Sequence, residues 1–193
     1  QGKLDDAIES YIKALSIKPN YINAKNNMNN ILENKSQLSS KSDAFSKPFL
    51  TKPNNAKNYL NMGIILHSEG KLDNAIEAYS KALSTKPDYA EAHNNMGNAL
   101  KEQGKLDDAI EAYKNALLTK PDYAEVYNNM GATFQEQNKM DDAIEAYNKA
   151  LLINPDYVNA YFNMGNVLRE QGKLDDAIEA YKNALLTKPD YAE

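Results

Sequence analysis

Apolar residues recur three or four positions apart through most of the chain, in short stretches separated by polar turns. In residues 89–103, Ala92, Met96, Ala99 and Gln103 follow one helical stripe, with His93, Gly97 and Leu100 beside it. This spacing predicts an amphipathic helix. Residues 106–119 predict a second, because Leu106, Ala109, Ile110, Tyr113, Ala116 and Leu117 make one broad apolar face. Asp107 and Asp108 fall in its first turn. There they complement the helix dipole, a structural role that fits them better than metal binding or acid catalysis.

The turns carry their own signals. Gly104 ends the first helix, and Gly70, Gly172 and Asn138 stand in the matching places. Asn is the other residue that readily accepts the left-handed backbone of a helix C-cap. Asp88 followed by Glu91, and Asp122 followed by Glu125, predict capping boxes at the helix starts. Pro121 stops the second helix.

The whole arrangement is periodic. Prolines stand at 19, 53, 87, 121, 155 and 189, thirty-four residues apart, and only Pro48 is out of step. Gly63, Gly97, Gly131 and Gly165 keep the same interval, as do Ala75, Ala109, Ala143 and Ala177, and Tyr79, Tyr113, Tyr147 and Tyr181. A fixed period of this length marks stacked structural repeats. The tyrosines lie on the apolar face, which predicts core packing rather than a stacking platform for bases or sugars.

The spacing of His93, Met96, Gly97, Leu100, Ala109, Tyr113 and Pro121 resembles the tetratricopeptide repeat, and the resemblance covers essentially the whole chain. It implies an all-α fold, a right-handed superhelical solenoid of antiparallel helix pairs. It also implies that Gly97 faces Ala109 while Tyr113 fills the gap to the neighbouring helix. The expected units are 1–21 (partial), 22–55, 56–89, 90–123, 124–157 and 158–191, with 192–193 starting a further one. The text ends on PDYAE, so the chain reads as a slice of a longer array whose uncovered ends offer a route to self-association.

The unit 22–55 departs from the pattern. Asn29, Lys41 and Ser36 replace the helix-contact Gly, the Ala and the capping Gly, and Pro48 falls inside the second helix. A proline there costs about 3 kcal/mol, so a softer joint is expected over 36–55. Asn34-Lys35-Ser36 has the form of a glycosylation sequon, which an Asn-rich chain produces by chance.

Composition narrows the function. A formal net charge of −5 without a basic stripe argues against nucleic acid. Without cysteine there are no disulfides and no thiol nucleophile. No apolar run reaches membrane-spanning length, so no membrane insertion is expected. His67 and His93 are the only histidines, and they lie on different stripes of different units. No glycine-rich phosphate loop or nucleophile elbow accompanies them. The segment reads as non-catalytic, with no cofactor. The chain starts at Gln1 rather than Met, so the sequence does not decide localisation, and cytoplasm is only the default.

First helices of such a solenoid line a continuous concave surface. Across the units the second helices are near copies, whereas the stripe read as exposed on the first helices varies. It runs Leu60, Ile64 and His67; Asn94, Asn98 and Lys101; Asn128, Ala132 and Gln135; Phe162, Asn166 and Arg169. Two residues before each glycine, however, an asparagine recurs: Asn61, Asn95, Asn129 and Asn163, with Asn27 matching in the divergent unit. In this the groove resembles the tetratricopeptide superhelix of O-GlcNAc transferase. That resemblance implies an asparagine ladder gripping the backbone of an extended peptide, to which a side-chain amide offers both donor and acceptor.

The expected partner is therefore a protein or peptide in extended conformation. Lys101, Arg169, Phe162 and Leu60 would supply specificity. Hydrogen bonds worth about 1 kcal/mol each, less ordering costs, predict micromolar or weaker binding. Lysines or arginines at set groove sites, as in the carboxylate-clamp repeats, are missing from the places of Leu60, Asn94, Asn128 and Phe162, so chaperone-tail binding is not expected. The runner-up readings are a substrate-selecting arm of an O-GlcNAc-transferase-like glycosyltransferase and a structural spacer or self-assembling array.

Overall fold

The computed structural model describes residues 55–187, and the 22–55 unit with its expected soft joint lies, apart from Asn55, outside them. Among the described residues there are eight helices in four antiparallel pairs and no strand. They are α1 (Ala56–Ser68) with α2 (Leu72–Thr85), and α3 (Ala90–Glu102) with α4 (Leu106–Thr119). The next are α5 (Ala124–Glu136) with α6 (Met140–Ile153), and α7 (Val158–Glu170) with α8 (Leu174–Thr187).

Each second helix packs on its own first helix, and α2, α4 and α6 pack also on the first helix of the next pair. Successive first helices also touch, which puts them on the inner side of the stack. The core runs through the junctions. Ala75, Tyr79 and Ala82 from α2 cluster with Ala92 and Ala99 of α3, and Ala143, Tyr147 and Ala150 from α6 cluster with Ala160 and Val167 of α7. No pair could bury its apolar surface alone, so each depends on its neighbour.

The helix ends form as the turn residues predict, with one exception. Gly70, Gly104 and Gly172 have φ of 73°, 75° and 77°, and Asn138 takes 60° in the same place. Lys105 N–H then reaches back to the Leu100 carbonyl at 3.0 Å, and Lys139 to that of Phe134 at 2.9 Å. These bonds satisfy carbonyls that the helix end would leave bare. The capping boxes are the exception. The N-cap residues are Tyr89 and Tyr123, one place after Asp88 and Asp122, and no side chain caps either helix. Asn55 occupies the equivalent place before α1, and its side chain accepts from Lys57 N at 3.0 Å.

Within each pair the glycine meets an aromatic ring. A Cβ on Gly97 would lie 2.5 Å from Tyr113 Cε1. The rings of Tyr79, Tyr147 and Tyr181 cover Gly63, Gly131 and Gly165 in the same way. The glycine is a seat for the aromatic ring. Tyr79, Tyr113 and Tyr147 are fully buried, as their place on the apolar face predicts, and each contributes on the order of 3 kcal/mol of burial.

Candidate functional site: the inner face

The four asparagines Asn61, Asn95, Asn129 and Asn163 recur along the inner face, each half-buried. Their surroundings are not equal. Asn129 Nδ2 donates to Asn94 Oδ1 of the preceding pair at 3.1 Å, and Asn163 Nδ2 donates to Asn128 Oδ1 at 3.1 Å. Asn94 Nδ2 in turn donates to Glu125 at 3.3 Å. Asn95 has no such rung, because Leu60 stands where Asn94 and Asn128 would accept.

Of the four residues three before each glycine, three are therefore not on an exposed stripe. Leu60, Asn94 and Asn128 are only 6%, 2% and 7% exposed. The first helix of the next pair lies over them, a cover that one helix's own pattern does not reveal. Phe162 is open at 53% and leans on Tyr181, ring centroids 5.8 Å apart.

Three further rungs tie successive pairs. His67 Nε2 lies 2.9 Å from Glu102, Lys101 Nζ lies 3.6 Å from Glu136, and Gln135 Nε2 donates to Glu170 at 3.1 Å. Pairs as exposed as these contribute at most about 1 kcal/mol each. On the other edge, Gln103 donates to Asp73 at 2.8 Å, Gln137 to Asp107 at 2.8 Å, and Gln171 to Asp141 at 2.9 Å. With Nε2 turned to the carboxylate, each glutamine Oε1 is buried without a partner. The reverse orientation would set two oxygens against each other. Asp107 is thus an inter-pair acceptor as well as a first-turn acid.

The residue after each glycine governs the tyrosine beneath it. Tyr113 OH donates to Asn98 Oδ1 at 2.7 Å, and Tyr181 OH to Asn166 Oδ1 at 2.8 Å. Ile64 and Ala132 occupy the same position in the other two pairs. There the hydroxyls of Tyr79 and Tyr147 are buried with no hydrogen-bond partner. Burial, followed by nearby glutamates, raises the pKa of both well above the ordinary tyrosine value. Burial does the same to Tyr113 despite its hydrogen bonds.

Models of the TPR repeat match residues 63–104 and 97–138, and models of the tetratricopeptide repeat match 122–185 and 1–21. A crystal structure of MamA is 30% identical, with a TM-score of 0.71, over 77% of this chain and 87% of that one. The chain belongs to the tetratricopeptide repeat family. MamA from Desulfovibrio magneticus RS-1, at 16% identity and a TM-score of 0.70, shares the fold over 97% of this chain and 98% of that one. So does Pseudomonas aeruginosa pilF, at 21% and 0.72, over 97% of this chain and 78% of that one. No curated protein matches the chain in sequence. Tetratricopeptide membership and these neighbours support a protein-interaction scaffold.

The remaining candidates separate by place in the tetratricopeptide stack. Arg169 is exposed at the end of α7, with no carboxylate in ion-pair range among the described residues, whereas Lys101 is engaged by Glu136. His93 Nε2 is 3.0 Å from the Pro87 carbonyl, a contact that fixes the turn before α3. His67 belongs to a rung. Among the described residues no group of three or more His, Cys, Asp or Glu could hold a metal, and no helix is long and apolar enough to cross a membrane. Sequence reasoning missed the glutamine-aspartate rungs, although Gln103, Gln137 and Gln171 recur at the repeat period.

Proposed function

We propose that the chain is a non-catalytic interaction scaffold that binds an extended peptide segment along its inner face. The observation that carries this reading is the half-buried row of Asn61, Asn95, Asn129 and Asn163 along touching first helices. The rungs divide the row into two kinds of site. Asn129 and Asn163 each spend one N–H on the preceding pair, which fixes the amide and leaves Oδ1 and the second N–H for a partner backbone. Such preorganisation lowers the ordering cost of binding. Among the described residues Asn61 and Asn95 make no such bond, and the amide is left to a partner. Ile64 on α1 and Ala132 on α5 make the inner face less polar there, while Asn98 and Asn166 are drawn toward tyrosine hydroxyls.

A clean test uses Asn61 and Asn95, which hold no inter-pair rung among the described residues. Peptides retained from a random extended-peptide library are titrated into the chain and into the Asn61→Ala/Asn95→Ala variant. We expect at least a tenfold loss of affinity with unchanged helicity and melting. Equal affinity for the two proteins would refute the ladder.

A further inference from the structure

The four tyrosines seated on glycines beneath the inner face are not satisfied alike. Tyr113 and Tyr181 each donate to the carboxamide oxygen of the residue after the glycine, Asn98 at 2.7 Å and Asn166 at 2.8 Å. Thr133 of α5 also stands beside the Tyr113 hydroxyl. Tyr147 has neither neighbour. Ala132 replaces the asparagine, Val167 replaces the threonine, and the hydroxyl is buried with no hydrogen-bond partner among the described residues. A buried phenol left unpaired forfeits hydrogen-bond energy that an acceptor placed beside it recovers. The Tyr79 hydroxyl is unpaired as well, but there the residue after the glycine is Ile64, whose branched side chain takes up the room. Ala132 keeps only a methyl group in that place, on the inner face and half-buried.

We propose that the place over Ala132 is a subsite for an uncharged carboxamide side chain, Asn or Gln, of the bound peptide. Its oxygen accepts from the Tyr147 hydroxyl, as that of Asn98 does from Tyr113 and that of Asn166 from Tyr181. The molecule's own side chains thus show twice which group such a hydroxyl takes. Charge favours the amide over a carboxylate. Glu136 and Glu170 lie close enough to Tyr147 to act on its hydroxyl, and a further carboxylate beside them is repelled. Asn129 stands one helical turn before Ala132 on the same side of α5. A peptide backbone held by its free Oδ1 and second N–H therefore brings a side chain to Ala132. The subsite rests on the reading of the inner face as a peptide groove, and it adds to that reading the side-chain chemistry of the partner.

Selection on the full chain tests this. Peptides retained from a random extended-peptide library are sequenced, and the selection is repeated with Ala132→Asn, which supplies the amide from within, and with Tyr147→Phe. Asn and Gln are expected to be enriched at one position of the pool selected on the unaltered chain, and to lose that enrichment with either variant. A retained peptide is then titrated beside a copy with Leu in place of that Asn or Gln. Tyr147→Phe is expected to weaken the amide peptide about tenfold and to leave the Leu copy unchanged. Tyr79→Phe is expected to change neither, and melting curves check that each variant is folded. No enrichment, enrichment that survives either variant, or equal losses for the two peptides overturns the subsite while the asparagine row stands. Retention of no peptide overturns the groove reading and the subsite with it.

Discussion

The junction of α1 with α3 and the junction of α3 with α5 share one backbone plan and differ at a buried position of the earlier helix, Leu60 in one and Asn94 in the other. At the first, Leu60 joins an apolar cluster and leaves Asn95 without a rung. At the second, Asn94 is equally buried and binds both Asn129 and Glu125. A ladder asparagine is therefore a structural rung or an open amide according to a residue of the preceding pair. Variation along the first helices sets how the repeats adhere as well as what they present to a partner.

The largest expected effect erases the comparison altogether. Tyr79, Tyr113 and Tyr147 are held protonated by burial well above the ordinary value of 10, and Tyr123 is pushed up to about 12 by burial and nearby glutamates. Above pH 10 the unfolded chain loses tyrosine protons that the folded chain retains, so stability falls as pH rises. We expect stability to be insensitive to tyrosine ionisation below pH 10 and to drop steeply from there through 12 and beyond. Urea unfolding followed by circular dichroism across that range checks it.

Leu60→Ala breaks the apolar junction alone. It deletes a buried leucine from the cluster with Ala92 and Ala99, at an expected cost of about 2–4 kcal/mol. Chemical unfolding measures the loss, and amide exchange in α1 and α3 is expected to rise more than in α5 and α7.

The tyrosines give a subtler contrast. Tyr113→Phe removes the bond to Asn98 and is expected to cost about 1 kcal/mol, whereas Tyr147→Phe removes a hydroxyl without a partner and is expected to cost nothing or to stabilise. Ala132→Asn, which gives Tyr147 the partner that Tyr113 has, is expected to stabilise. A single set of unfolding curves ranks the three.

Much of the fold was legible because backbone chemistry is local. The thirty-four-residue interval, the left-handed Gly104 and Asn138, and the apolar face from Leu106 to Leu117 each constrain the chain without a neighbour. What required the structure lies between repeats. Nothing in the helical pattern of α3 says that Asn94 is covered by α5, since burial there comes from residues some thirty positions away. The asparagine row was legible, but its division into rungs and open amides was not. Asp88 misled because the turn sets the N-cap one residue later, at Tyr89. That Gly97 seats the ring of Tyr113 on its own second helix was not legible from the shared period alone.

The most direct test of this division is a pair of double-mutant cycles in chemical unfolding, one joining Asn94→Ala with Asn129→Ala and the other Leu60→Ala with Asn95→Ala. The account predicts a coupling of about 1 kcal/mol for Asn94 with Asn129 and none within error for Leu60 with Asn95. Equal couplings in the two cycles would contradict it.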